Sequence, residues 1–177
     1  MLWKLNDSSL WKVLILMSLL TGCADPRPAN LEGPIEGWFI PDRWEVREET
    51  REGKRFLIRM STGLDAAIGN PKLATQVRIT VPFRKPSESG MPDSEEYAEL
   101  DEIEYKIRDE FQMQNEAFFA GIVTGAGMRE FFLYSAQPEL TRRRAEALRA
   151  LAKQHEVRVS VSEDKSWATY RSLRNRP

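Results

Sequence analysis

The chain of 177 residues holds one cysteine, Cys23, and one histidine, His155. A lone thiol closes no internal disulfide, so the chain must draw its stability from a packed core, and cysteine-type structural metal sites are excluded as well. With no cysteine nucleophile in the body of the chain and no second histidine, the residue types for a nucleophile, its base and a set of metal ligands do not assemble. No cofactor is therefore expected. Excess charge of one sign is missing too: 26 basic and 27 acidic side chains leave a formal net charge of −1, with no basic surplus to suggest nucleic acid. The apolar run Val13–Leu20 falls well short of the ~20 residues a membrane-spanning helix needs.

That short run is nevertheless informative. Lys4 and Lys12 precede it, and Leu20-Thr21-Gly22-Cys23 follows with small residues before the cysteine. The order resembles the lipobox of bacterial lipoproteins. The resemblance implies that residues 1–22 are a signal peptide and that the Cys23 thiol carries diacylglycerol. The mature chain would then begin at Cys23, anchored in a membrane of the cell envelope. Ala24 resembles outer-membrane sorting, on the periplasmic side, while Asp25 leaves inner-membrane retention open. Residues 23–37, rich in Pro, Gly, Asn and acids, read as a flexible tether lifting the domain off the membrane. Trp38 and Phe39 are expected to dock on the domain edge. A single domain then spans 38–173, with 174–177 a frayed tail.

The most apolar part of the mature chain is Asn115–Ser135. Ala117–Val123 and Arg129–Tyr134, rich in β-branched and aromatic residues, flank a glycine-punctuated link and predict a β-hairpin. Strict alternation turns Phe118, Ala120 and Ile122 to one face and Phe119, Gly121 and Val123 to the other. Both faces then need cover, which places the hairpin inside a sheet. Trp44–Glu49 and Phe56–Ser61 bracket a polar turn as a second hairpin. Val77–Phe83 and Val157–Val161 alternate as strands with one buried face. Asp93 starts a helix running to about Met113, with Tyr97, Leu100, Ile103, Ile107 and Phe111 as its apolar stripe and the many acids as its solvated face. A second helix follows Pro138 to about Gln154, with Leu140, Leu148, Leu151 and Ala152 inward. From Val77 onward the order is β-α-β-β-α-β. The predicted class is α+β, a ferredoxin-like arrangement with an additional N-terminal hairpin that covers the apolar second face of the central strands.

Few residues suggest chemistry. Gly121, Gly125 and Gly127 join two strands, whereas phosphate cradles run from a strand into a helix, so they read as turn residues. His155 at a helix end reads as a capping or surface group. Trp167 and Tyr170 either close the core or form an exposed recognition pair. Arg129 and Glu130 open the second hairpin strand, where charges need partners. Glu104 or Asp164 can accept a bidentate pair from Arg129, tying the hairpin to the first helix or the closing segment.

Three blocks carry a family likeness. They are Gly90-Met91-Pro92 with Glu96, Gly121-Ile122-Val123-Thr124-Gly125-Ala126-Gly127-Met128-Arg129-Glu130 running on to Tyr134, and Asp164-Lys165-Ser166-Trp167-Ala168-Thr169-Tyr170. Together they resemble the bacterial domain of unknown function 695 family, and the chain is more distantly similar to the domain of the regulator of ribonuclease E activity B, which binds and inhibits an enzyme. The resemblance implies a small α/β module without catalytic residues to carry over. The expected role is a membrane-anchored interaction or regulatory module that meets an envelope protein. The alternative is a small ligand-binding protein or hydrolase with a pocket near Arg129, Glu130 and Tyr134.

Overall fold

A computed structural model describes residues 27–112, 117–152 and 154–174. The leader, Cys23, Met113 and residues 175–177 lie outside them, as does the side chain of Leu151. The strands are β1 (Trp44–Arg51), β2 (Lys54–Ser61), β3 (Thr75–Pro82), β4 (Ala117–Gly125), β5 (Met128–Ser135) and β6 (Arg158–Glu163), and the helices are α1 (Ser94–Gln112), α2 (Pro138–Leu151) and α3 (Ala168–Arg174). The protein is α+β. Its six strands form one antiparallel sheet in the order β1-β2-β4-β5-β3-β6.

The β4–β5 hairpin lies inside the sheet, as its two apolar faces require. Its turn is Ala126-Gly127, with φ of 50° and 82°, and the β1–β2 turn is Glu52-Gly53, with φ of 50° and 76°. Positive φ at both central residues is the twist-matched turn that two-residue hairpins favour. The first hairpin does not cover the second face as expected. It extends the sheet, because β2 pairs with β4 from Phe56↔Gly125 to Met60↔Gly121.

A second correction concerns β4 itself. Phe119 pairs with Leu133 and Gly121 with Phe132, so Ala120 is an inserted residue, a β-bulge. The insertion reverses the alternation. Phe119 and Ile122 therefore share the helix-facing core with Val77, Ile79, Leu100, Ile107, Phe111 and Leu133. Phe118 and Ala120 face the other side with Ile58, Met60, Phe132 and Tyr134. That second face is covered by the 62–73 loop with Leu64 and Leu73, by α3 with Tyr170 and Leu173, and by Trp38, which stacks on Phe118.

Two boundaries also move. Residues 27–37 are no free tether: Asn30 and Phe39 exchange backbone hydrogen bonds of 2.8 Å, and Leu31 and Ile35 pack on the second core. At the other end α3 continues through Arg174 with Leu173 buried, past the point where the sequence suggests fraying.

The two hairpins approach closely because β4 has glycine at Gly121 and Gly125. A Cβ on Gly125 would stand 2.4 Å from the Arg55 carbonyl oxygen and 2.7 Å from the Phe56 ring. Gly125→Ala should therefore force β2 away from β4 and lower stability by about 1 to 3 kcal/mol, read as a reduced urea midpoint. A midpoint equal to wild type would contradict the close approach.

Candidate functional site

Four clusters hold the residues that sequence alone singled out. The first surrounds Arg129, which is fully buried. Its Nε donates to Thr124 Oγ1 at 3.0 Å, its Nη1 donates to Asp101 Oδ1 at 2.7 Å and lies 3.7 Å from Glu104, and the guanidinium sits 4.6 Å from the Tyr97 ring centre. Glu104 is buried in turn and accepts from Arg59 of β2 and Arg108 of α1. Of the two expected partners, Glu104 belongs to this cluster and Asp164 does not. Asp101, the nearest acid, was missed, although Tyr97, Asp101 and Glu104 share one helical face at spacings of four and three.

Asp164 serves the second cluster. It accepts from the amides of Ala168 and Thr169 at the start of α3 and from Tyr134 Oη at 2.7 Å. Trp167 lies flat on Tyr134, with centroids 3.8 Å apart and planes within 2°, and meets Tyr170 edge-on. Its φ of 57° is uncommon for a bulky residue, a local strain that the stacking and the fully buried indole over-determine. Tyr170 Oη donates to the Ser61 carbonyl at 2.8 Å and reaches Asp65 at 2.5 Å. Tyr134, Trp167 and Tyr170 are all closed to solvent, so they are not an exposed recognition pair.

The third cluster corrects the reading of His155 and of the α1 acids. The His155 side chain is buried between two carboxylates, with Nε2 2.8 Å from Glu99 and Nδ1 3.7 Å from Glu96. Glu96 is 2% exposed and accepts from the Arg84 amide at 2.6 Å instead of reaching back to its own helix start. Asp93 does cap the helix, accepting from the Glu96 amide. Hydrogen bonding from His155, and then Arg84, holds the Glu99 carboxyl below the usual range.

Glu130 belongs to the fourth. It faces the second side of the sheet, 3.6 Å from Arg78 and within reach of Thr80 Oγ1. A pocket uniting Arg129, Glu130 and Tyr134 does not exist, since strand alternation sends Arg129 to the helix side and the other two to the opposite side. What exists is an open groove of about 490 Å³ between α3 and the sheet, lined by Phe56, Ile58, Val123, Phe132, Arg51, Arg78 and Glu130, with Ala168, Thr169, Ser172 and Leu173 above. Only Glu130 of these was singled out from sequence. The rest come from six separate elements, whose meeting is a property of the sheet order.

A family model described as a family of unknown function (DUF695) matches residues 42–173. The chain belongs to this family. No curated protein and no solved structure matches it. The match begins after the docked arm 27–41, and the three blocks of the DUF695 likeness occupy joints of the fold. The Gly90 carbonyl accepts from the Gly127 amide at 2.9 Å, clamping the loop before α1 onto the central turn. Arg129 pins that hairpin to α1, and Asp164, Trp167 and Tyr170 pin α3 to β5 and the end of β2. Among the described residues no group of three or more histidines, cysteines or acids is placed to hold a metal.

Arg129→Met should cost about 1.5 to 3 kcal/mol, the range for hydrogen bonds to charged groups. The loss stays below that of an orphaned buried ion, because Asp101 is half exposed and rehydrates while Glu104 keeps Arg59 and Arg108. Urea unfolding of the variant checks this, and full wild-type stability would remove Arg129 from the scaffold.

The closing cluster also sets a pH range. Burial first, then the bonds to Asp164 and Asp65, raises the Tyr134 and Tyr170 hydroxyls above their ordinary value of about 10. Below pH 10 both are protonated folded or unfolded. Above it the unfolded chain releases protons that the folded chain retains, so stability falls as pH rises. For Asp164, burial pushes the carboxyl up, but bonds from Tyr134, Ala168, Thr169 and Ser166 together hold it low. Its contribution is present above about pH 4 and is lost on acidification. Thermal melts should thus show a plateau between these limits, with Tyr134→Phe flattening the alkaline fall.

Proposed function

We propose that this chain is a lipid-anchored protein of the bacterial envelope whose domain is a non-catalytic binding module. Its contact site is the groove between α3 and the sheet. The anchor reading rests on Lys4, Lys12, the run Val13–Leu20 and Leu20-Thr21-Gly22-Cys23. Diacylglycerol on Cys23 would hold the chain in the membrane, and Ala24 favours the periplasmic side of the outer membrane. Among the described residues no helix is long and apolar enough to cross a membrane.

The observation that carries the module reading is the chemistry of the groove. Its floor is apolar, with Phe56, Ile58, Val123 and Phe132. Of the charged residues that line it, Arg51 and Arg78 are positive and Glu130 is negative. An extended segment of an envelope protein, with a branched or aromatic side chain beside a carboxylate, satisfies both features. A hydrolase centred on Arg129, Glu130 and Tyr134 fits less well, because the sheet separates Arg129 from the other two. The groove hydroxyls of Thr169 and Ser172 lie across the sheet from His155.

The ferredoxin-like assignment is supported by the partial order β6-β3-β5-β4 with α1 and α2 packed on the same core, the order of a split βαβ pair. The distant likeness to the regulator of ribonuclease E activity B concerns a protein that binds an enzyme. The anchor reading moves the same class of role, protein binding, to the envelope.

Two measurements test the proposal. Radiolabelled fatty acid should enter the wild type and not Cys23→Ser, and equal labelling of both would end the anchor assignment. In the domain, hexapeptides alternating Phe with Asp should shift the amide resonances of Val123, Phe132 and Thr169, while Phe–Lys counterparts should not. Arg78→Glu should abolish the shifts. Shifts confined to another surface, or indifferent to peptide charge, would reject the groove.

A further inference from the structure

One end of the sheet is β6, which pairs with β3 in unbroken register from Arg158↔Thr80 to Glu163↔Thr75. Val159 and Val161 pack on the helix-side core, and the exposed Ser160 and Ser162 point to the other face. Charge, proline and bulges are the means by which edge strands turn away a neighbour. Val159-Ser160-Val161-Ser162 has none of them. Among the described residues, the backbone groups of these four that turn away from β3 meet no donor or acceptor. The opposite edge differs, since β1 carries Glu45, Arg47, Glu48, Glu49 and Arg51.

We infer that β6 is a dimer interface, pairing antiparallel with β6 of a second copy across a two-fold axis at Ser160. The strand's own sequence selects this occupant. A two-fold axis normal to the sheet keeps like faces together, so it opposes residues of the same parity. Val159-Ser160-Val161 reads alike in both directions. With Ser160 on the axis, Val159 of each copy stands opposite Val161 of the other, and Arg158 opposite Ser162, so β-branched residues meet on one face and no like charges meet. Moving the axis to Val161 would set Val159 against Glu163 at both ends. Charge does not bar the approach, because the groups flanking the edge are matched within their own chain. Arg158 pairs with Glu156 and Lys165 with Glu163, each at 2.7 Å. On the flank of α2 that reaches β6, where Arg149 donates to the Val157 carbonyl at 2.9 Å, Arg142 pairs with Glu139 and Glu146. The groove stays clear, since its strands run from β1 to β3. One continuous sheet face then carries two grooves, and, on the groove reading above, a ligand bearing two suitable segments is held at both.

The test uses the full chain, purified in detergent and mildly oxidised, as wild type, Ser160→Cys and Ser162→Cys. Cys23 is common to all three, so wild type reports whatever it contributes. Across the axis the Cα atoms of position 160 stand about 4.5 to 5.5 Å apart, within reach of a disulfide. Those of position 162 are offset by four residues, about 13 Å along the strands. Covalent dimer should exceed wild type several-fold in Ser160→Cys and match it in Ser162→Cys. Equal linkage at both positions overturns the axis and its register. Without oxidant, light scattering should give the mass of two chains for wild type and of one for Ser160→Lys, which sets like charges face to face. Position 160 is exposed, so the melting temperature should not change. A wild type with the mass of one chain, or a Ser160→Lys chain that stays double, overturns the interface.

Discussion

One inserted residue, Ala120, determines which side of the sheet every later residue of β4 occupies. Beyond the bulge Ile122 turns toward the helices with Phe119, and Thr124 turns with it, opposite Arg129. Without the insertion the Thr124 hydroxyl would face the second core, and the buried Arg129 Nε would lose the acceptor it has at 3.0 Å. The bulge thus couples a packing choice to an electrostatic one. Gly121 makes room at the same point, since a Cβ there would stand 2.6 Å from the Met60 sulfur.

The helix that rests on this hairpin is held by charge along two sides as well as by its apolar stripe. On one side Asp101 and Glu104 hold Arg129, Arg108 and Arg59; on the other Glu96 and Glu99 hold His155 and Arg84. Exposed ion pairs are worth little individually, but a buried charge must be matched or its desolvation goes uncompensated. These clusters fix the position of α1 on the sheet more than they add to total stability. That explains how so acidic a helix can bury two of its glutamates.

Periodicity made the strands, both long helices and the central place of the β4–β5 hairpin legible in advance. The bulge was not legible, because residues 117–123 are apolar on both faces and an apolar run carries no parity signal. The position of the first hairpin was equally hidden: alternation tells which face of a strand is buried, not which strand lies beside it. Spacing sets Glu96 and Glu104 beside the apolar stripe of Leu100, Ile103 and Ile107, and Glu95 and Glu102 away from it, but spacing alone names no partner that would let a glutamate be buried there. Those partners are Arg84, Arg59 and His155, residues distant in the chain. The groove was invisible for a related reason, as its walls come from β1, β2, β3, the hairpin and α3.

The sheet ends at β1 on one side and β6 on the other. On β1 the sequence Glu45-Val46-Arg47-Glu48-Glu49-Thr50-Arg51 sets charge of both signs along one face and Glu48 on the other. A strand arriving at this edge would have to match alternating charges to pair with it. The ionic fringe of β1 thus acts as a guard, keeping neighbouring sheets from joining edge to edge into aggregates.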